Sequence, residues 1–123
     1  MPKAKITASA PVLIVKDVVK SADYFRHKLG FTQVEFYGEP PDFCMTSRDN
    51  YTVMLAEVTD PQTMIVPNWK IVEKMWNIYF WVDDVEAIYA EFQANGAIID
   101  YTLHTKSYGV REFGVQDLDD HDI

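Results

Sequence analysis

Apolar residues follow two kinds of spacing along the chain, and the change between them marks strands and helices. Residues 8–15 are almost wholly apolar, and Val18, Ala22, Phe25 and Leu29 then recur at spacings of three and four. A short apolar run is typical of a buried strand, and the wider spacing is typical of a helix with one apolar face. The opening of the chain therefore predicts a strand that leads into a helix.

Both ends of this predicted helix carry the residues that helices prefer there. Asp17 can accept a hydrogen bond from an otherwise unpaired amide, and Gly30 can adopt the left-handed conformation that ends a helix. Three more strands are predicted downstream, at 31–37, 43–47 and 51–57. A turn over 38–41 separates the first two, and a hairpin turn at Arg48-Asp49-Asn50 separates the last two, so the first half reads as one β-α-β-β-β unit.

The same pattern returns in the second half. Residues 77–82 form an apolar run that ends at Asp83-Asp84, and a helical stripe then precedes Gly96. When 15–18 is aligned with 82–85, Phe25 falls on Phe92 without a gap, and Gly30 falls on Gly96 after one deletion. Further strands are predicted at 97–101, 108–116 and 121–123. The repeat predicts two modules related by an internal pseudo-twofold axis.

These elements together predict one α+β domain. This domain would contain two βαβββ modules. Module one covers about 5–57, a linker with a short helix at 69–74 covers 58–75, and module two covers about 76–123. A chain of 123 residues has the usual size of one domain.

Composition and charge narrow the possible partners. No apolar run approaches the roughly 18 residues of a membrane span, and the net charge of −8 disfavours nucleic acid while favouring neutral or cationic ligands. The same charge also serves simple solubility. Because Cys44 is the single cysteine and the first residues show no secretory pattern, we expect a cytoplasmic protein with no nucleic acid or membrane partner.

Two segments resemble a known family. Residues 11–31, with the pairs Tyr24-Phe25 and Gly30-Phe31, and residues 108–121 resemble the two module signatures of the glyoxalase/bleomycin resistance protein/dioxygenase superfamily, also called vicinal oxygen chelate. The resemblance spans nearly the whole chain and implies the paired-module fold, with an open mixed sheet barrel that lines a cavity and the helices outside. It also implies a homodimer. Members range from metal-dependent lyases, isomerases and dioxygenases to metal-free proteins that sequester drugs, so the fold alone does not select an activity.

The residues at the family's metal-binding positions are unusual for a metal site. The first falls on Ala10, which has no donor atom, and another on Asn77, whose amide oxygen is a weak ligand for softer transition metals. The acidic position of the first module falls among 54–56, and the last lies beyond Ile123. We therefore expect no cofactor and no family-type metal. The alternative is a relocated divalent metal built from Glu57, Asn77, Glu112 or residues beyond Ile123.

The same comparison suggests which side chains line the cavity. Because side chains alternate along a strand, Val12 shares a face with Ala10, and Tyr79 and Trp81 share a face with Asn77. Of the neighbours Arg111 and Glu112 only one can face inward, and we choose Glu112, with Tyr108 as its alternation partner. The predicted ligand-binding residues are Asn77, Tyr79, Trp81, Glu112, Tyr108 and Val12, while ordinary core aromatics and a solvated carboxylate remain the alternatives.

Three functional hypotheses follow. The first is a metal-free homodimer that sequesters a hydrophobic or cationic small organic ligand, as in antibiotic resistance. The second is a metal-dependent lyase, isomerase or dioxygenase of the same superfamily, and the third is an interaction module without a ligand. His27, His104 and His121 lie in surface or strand-edge contexts, so we expect solvated side chains there.

Overall fold

A four-stranded sheet and one helix form the first half of the protein. The computed structural model describes residues 3–123. Its first sheet contains β1 (Val12–Val15), β2 (Gln33–Tyr37), β3 (Phe43–Arg48) and β4 (Tyr51–Glu57) in the order β1-β4-β3-β2. β1 runs parallel to β4, and the other neighbours are antiparallel. Helix α1 (Val18–Leu29) connects β1 to β2.

Helix α1 covers one face of this sheet and forms the main core with it. All four residues of the predicted helical stripe are buried, and the Phe25 ring packs edge-on against Phe31 at a centroid distance of 5.5 Å. The sheet contributes Leu13, Val15, Cys44, Thr46, Val53 and Leu55. This apolar burial is the dominant favourable term in folding, and the single core cluster extends from here to Ile78, Phe92 and Val115 of the second half.

The opposite face of the first sheet is open in the single chain. The alternation in β1 leaves Val12 53% and Ile14 47% exposed, while Leu13 and Val15 between them are buried. Val12 pairs with Met54 and Ile14 with Ala56, so the apolar character of this face continues onto β4. The face of the sheet opposite α1 is therefore partly exposed in the single chain.

The second half contains fewer paired strands. Helix α2 (Val85–Asn95) leads into β5 (Ile98–Thr105), which pairs antiparallel with β6 (Arg111–Gln116). Two register shifts interrupt this ladder, between Ile99 and Tyr101 and between Tyr101 and His104. Beyond β6 the chain turns and returns, so that the backbones of Ile123 and Val115 exchange hydrogen bonds of 2.9 and 3.0 Å.

The strand predicted at 77–82 is absent, which corrects that expectation. Only the amides of Asn77 and Ile78 bond to the returning segment, both donating to the carbonyl of Asp122. A β-strand is defined by its hydrogen bonds to a neighbouring strand. Residues 79–82 have no such neighbour among residues 3–123, so they remain irregular. The described residues form a two-stranded and a four-stranded sheet and no closed barrel, and the predicted pseudo-twofold axis stays a prediction.

The predicted helix ends and turns are confirmed. Asp17 accepts from the amide of Lys20 at 3.0 Å and Asp84 from that of Ala87 at 3.0 Å, while Gly30 and Gly96 take the left-handed conformation. The hairpin turn between β3 and β4 lies where expected. The linker helix is shorter than predicted and is a 3-10 turn at Asn68–Lys70. Neither α1 nor α2, within the described chain, has the length and apolar content needed to span a bilayer.

Two sets of polar contacts join the halves. The Tyr24 hydroxyl of α1 donates to the carbonyl of Gln116 at 2.6 Å and accepts from the amide of Ile98 at 2.8 Å. Arg48 of β3 forms a two-pronged ion pair with Glu91 of α2, at 2.5 and 2.9 Å. Because planar guanidinium–carboxylate pairs fix geometry as well as charge, these contacts set how α2 lies against the first half.

One histidine differs from the expectation of solvated side chains. His121 is buried, and its Nδ1 lies 2.8 Å from Oδ2 of the buried Asp117. The other Asp117 oxygen accepts from the amides of Asp119 and His121, which closes the turn after β6. Burial is possible here because a carboxylate meets the imidazole and the amides together.

Candidate functional site

A cavity of about 640 Å³ opens between the two halves. Its floor is the second sheet, its sides are α2 and the irregular segment before it, and its remaining edge is the turn between β3 and β4. A volume of several hundred cubic ångströms suits a small organic molecule. Residues 79–82 line this cavity and pair with no strand. A strand paired to them would need a further segment of chain beside the cavity.

Three aromatic side chains line one wall in sequence order. The rings of Trp76 and Tyr79 meet edge-on at 4.7 Å between centroids, and those of Tyr79 and Trp81 at 5.0 Å. Trp81 is 85% exposed, so most of its ring surface is free for contact. Flat apolar surface held in place by neighbouring rings favours aromatic or other planar ligand groups.

Tyr101 continues this aromatic wall from β5. Its hydroxyl accepts a hydrogen bond of 3.0 Å from Nε1 of Trp76, and its ring lies across Gly114 of β6. A Cβ at position 114 would lie 2.3 Å from Cε1 of Tyr101, well inside contact distance. The missing side chain of Gly114 therefore allows Tyr101 to reach the tryptophan.

Glu112 is the buried charged group of the cavity. Its side chain is 7% exposed, and Oε1 accepts a hydrogen bond of 2.6 Å from the Tyr108 hydroxyl. Oε2 is buried, and no donor from residues 3–123 reaches it. Because a buried acceptor without a partner costs about 1–3 kcal/mol, this atom has an unused capacity for a hydrogen bond.

The Glu112 carboxylate changes the acidity of two neighbouring phenols. Burial first, and the Glu112 carboxylate second, raise the pKa of Tyr79 to about 12. The hydrogen bond to Glu112 is the main cause that raises the pKa of Tyr108 to about 12. Both hydroxyls therefore remain protonated donors throughout the neutral range.

The rim carries more charges, and its arginines are already paired. Arg48 is held by Glu91, and Arg111 donates through Nε to Oε1 of Glu86 at 2.5 Å. Among the described residues the cavity lining holds five acidic side chains, namely Asp49, Asp83, Asp84, Glu91 and Glu112. With both arginines in ion pairs, the surplus of charge at the cavity is negative.

The structure brings together three of the six predicted ligand-binding residues. Tyr79, Trp81 and Glu112 line the cavity, and the more exposed Arg111 lines it as well, so the choice between Arg111 and Glu112 stays a prediction. Tyr108 touches the cavity only through its bond to Glu112. Asn77 and Val12 lie outside the lining.

Those last two residues have other surroundings. The Asn77 side-chain oxygen accepts from the amide of Asn68 at 3.0 Å, which fixes the linker turn. Val12 lies on the open face of the first sheet. Their part in a ligand site remains a prediction.

Sequence reasoning missed two contributors, Tyr101 and Lys106. Tyr101 lies opposite Gly114 because of a register shift in β5, and a glycine inside a predicted strand is the signal that could have revealed such a close approach. Lys106 reaches Glu112 from the turn between β5 and β6, with Nζ 3.9 Å from Oε1, and no local pattern announces this contact.

The residues proposed for a relocated metal do not fit one. Oε1 of Glu57 accepts from the amide of Val18 at 3.0 Å, Asn77 is engaged with Asn68, and neither lines the cavity with Glu112. Nowhere in residues 3–123 do three or more His, Cys, Asp or Glu side chains gather as a metal centre requires. The donor set of this chain thus differs from that of a family-type metal site.

Comparison with known proteins identifies the family. The sequence model of the Glyoxalase/Bleomycin resistance protein/Dioxygenase superfamily matches residues 7–123, and the chain belongs to this superfamily. A search of curated proteins gave no significant match.

Solved structures of similar fold include proteins described in different ways. TioX from Micromonospora sp. ML1 is 20% identical with a TM-score of 0.69, and the match covers 94% of each chain. The bleomycin-binding protein of Streptomyces verticillus, solved with copper(II)-bleomycin, is 21% identical with a TM-score of 0.65 over 94% of this chain and 90% of that one. A glyoxalase-related enzyme from Clostridium phytofermentans is 14% identical with a TM-score of 0.73 over 97% and 92%. At these identities the similarity establishes the shared fold.

Proposed function

We propose that this protein binds a small organic molecule without the help of a metal ion, and that it sequesters the ligand in the cavity. The observation that carries the proposal is the aromatic wall of Trp76, Tyr79, Trp81 and Tyr101 beside the buried Glu112. Such a wall offers planar apolar contact with a small number of oriented polar groups, which is the usual composition of a ligand site. The bleomycin-binding relative makes drug sequestration the biological role we favour.

The direct test uses a neutral apolar dye whose emission depends on its surroundings. Nile red added to the protein should show enhanced, saturable fluorescence, and Trp81→Ala should weaken its binding about tenfold because it removes an exposed wall ring. Trp69→Ala is the matched control, since Trp69 lies outside the cavity and bonds to the carbonyl of Asp120. Equal binding by both variants would place the dye elsewhere and reject the cavity as the site.

A second measurement addresses drug binding. Copper(II)-bleomycin should raise the melting temperature of the wild-type protein and displace Nile red, because a ligand bound only by the folded state stabilises it. A rise in melting temperature that persists unchanged in Trp81→Ala would mean that bleomycin binds outside the cavity. Absence of any rise in melting temperature would reject bleomycin as a ligand. The Nile red result would then decide by itself whether the cavity binds small molecules.

The metal part of the proposal has its own test. Protein purified without chelators should contain far less than one equivalent of zinc, nickel, manganese or iron by elemental analysis, since the donor set at Glu57, Asn77 and Glu112 is dispersed. Stoichiometric metal that is lost in Glu112→Gln would favour the metal-dependent lyase, isomerase or dioxygenase instead.

We also propose that two copies of the chain associate through the open face of the first sheet. Val12 and Ile14 are half exposed there, next to Met54 and Ala56, and unburied apolar sheet faces favour association. Light scattering after size-exclusion chromatography should give twice the 14.2 kDa of one chain. Ile14→Glu should yield the monomer, whereas Val19→Glu, at a similarly exposed position on α1, should not. A monomeric wild type would reject the dimer.

A further inference from the structure

Glu112 has the environment of a carboxylate that awaits a cationic partner. It is nine-tenths buried, one oxygen lacks any donor within residues 3–123, and the rings of Tyr79 and Tyr101 are neighbours. Lone buried charges are strongly unfavourable, so such a group is normally paired. Its pairing in this chain is incomplete.

Lys106 supplies a weak substitute for that partner. Its ammonium lies 3.9 Å from Oε1 of Glu112, beyond hydrogen-bonding distance, and 4.9 Å from the centre of the Tyr101 ring. A carboxylate and an aromatic face both attract an organic ammonium ion, the first by ion pairing and the second by a cation–π contact. Lys106 therefore places a positive charge beside Oε1 of Glu112, while Oε2 is left without a donor from the described residues.

The lysine side chain can leave without disturbing the backbone. The turn that carries it is fixed by its own hydrogen bonds, from the amide of Lys106 to the carbonyl of Val110 at 2.7 Å and from the amide of Gly109 to the carbonyl of Lys106 at 2.9 Å. The Lys106 side chain is 28% exposed and hydrogen bonds to no carboxylate in the described chain. Moving its ammonium into water would break one long ion pair and one cation–π contact.

We propose that the cavity is selective for a protonated amine attached to a flat apolar group, and that Lys106 is a built-in competitor that yields Glu112 to this amine. The proposal rests on the proposed function, because it specifies the ligand of the same cavity. The amine must carry an N–H bond, since the free atom of Glu112 is a hydrogen-bond acceptor. The flat group stacks on the wall of Trp76, Tyr79 and Trp81, and the paired arginines at the rim leave anions without a partner.

The selectivity is tested with three probes that share the naphthylmethyl group and differ in the polar group. 1-Naphthylmethylamine, the neutral 1-naphthylmethanol and the trimethylammonium analogue of the amine are titrated into protein that carries Nile red. The amine should displace the dye about tenfold more effectively than either of the others, as expected for one charge-assisted hydrogen bond. Glu112→Gln, which keeps the shape, should reduce this preference to less than about twofold.

The role of Lys106 is tested by variants that differ in charge. Lys106→Met should bind the amine several-fold more tightly than wild type and bind the alcohol unchanged, because the competing charge is gone. Lys106→Arg is the matched control and should resemble wild type. Thermal melts of each variant confirm folding, and Tyr108→Phe provides a second, milder perturbation of Glu112 that should weaken its orientation and reduce the preference for the amine.

The possible failures are distinguishable. If Nile red binds but the amine and the alcohol compete equally, the amine proposal is overturned and small-molecule binding stands. If Lys106→Met binds the amine no better than wild type, Lys106 is not a competitor. If the trimethylammonium analogue matches the amine, the free acceptor of Glu112 is not the contact. If even Nile red fails to bind, both the proposed function and this inference fall together.

Discussion

The two halves of the chain differ in how completely their strands are paired. The first half buries one face of a four-stranded sheet under α1, whereas the second half has two paired strands and an irregular segment beside α2. Buried side chains are correspondingly numerous in the first half, while Phe92 is the buried residue of α2. The difference teaches that the cavity lies where pairing is incomplete, so the first half supplies stability and the second supplies the binding surface.

The largest effect should come from emptying the core of the first half. Phe25→Ala removes a fully buried ring and should lower the free energy of unfolding by about 3–5 kcal/mol. Phe113→Ala removes a ring that packs on Tyr89 at 4.8 Å beside the cavity, where water already has access, and should cost less than about 3 kcal/mol. Urea denaturation measures both values. Equal losses would break the contrast between the halves.

The next effect concerns the connection between them. Tyr24→Phe removes the hydroxyl that bonds to Gln116 and Ile98, leaving a partly buried carbonyl and amide without this partner, and should cost about 1–3 kcal/mol. The control Tyr51→Phe changes a hydroxyl on a 68% exposed residue and should be nearly neutral. If the halves are coupled as described, near-ultraviolet and far-ultraviolet circular dichroism should still report one transition. A neutral Tyr24→Phe would show that other contacts make the connection.

A smaller effect separates the helices by their equivalent caps. Asp17→Ala and Asp84→Ala each remove one side-chain bond of 3.0 Å to a helix amide, worth about 1 kcal/mol. Since α1 packs on the complete sheet, Asp17→Ala should lower the global free energy of unfolding. Asp84→Ala should instead raise hydrogen exchange mainly in α2, because α2 can open locally below the single global transition. Identical exchange patterns in the two variants would mean that α2 does not open before the rest of the chain.

The smallest effect is a change in titration. The Glu112 carboxylate helps to raise the pKa values of Tyr79 and Tyr108 to about 12, so Glu112→Gln should move both toward 10. Both phenols hold their protons more tightly in the folded state than in the unfolded state. Their contribution to the free energy of unfolding is therefore fully present below pH 10 and is lost as the pH rises from 10 to 12. Absorbance at 295 nm follows the ionisation. A wild-type profile in Glu112→Gln would mean that the carboxylate does not act on these phenols.

The sequence predicts best what depends on neighbouring residues. The cap Asp17, the closing glycines and the turn at residues 48–50 are local features, and all are confirmed. The buried stripe of α1 also follows from spacing alone. Tyr79 and Trp81 lie in the cavity lining, but Phe80 and Val82 lie there too, because this segment forms no strand with two distinct faces.

The remaining features depend on distant contacts. Whether residues 77–82 form a strand depends on a partner from another part of the chain, and of these six residues the segment at 121–123 bonds only to Asn77 and Ile78. The register shifts in β5 change which residues face each other, so alternation does not place Tyr101. His121 is buried because the turn at 117–120 brings its ring back to Asp117. The contact between Lys106 and Glu112 depends on the path of the turn between β5 and β6.

The close approach of Tyr101 to Gly114 has a consequence for engineering. Any side chain at position 114 would push the phenol ring away and release its bond to Trp76, so this position should tolerate no diversity in a selection for altered ligand preference. Trp81, by contrast, is largely exposed and supports little of the fold. A library that fixes glycine at 114 and randomises 81 would explore new specificities while preserving the scaffold that presents them.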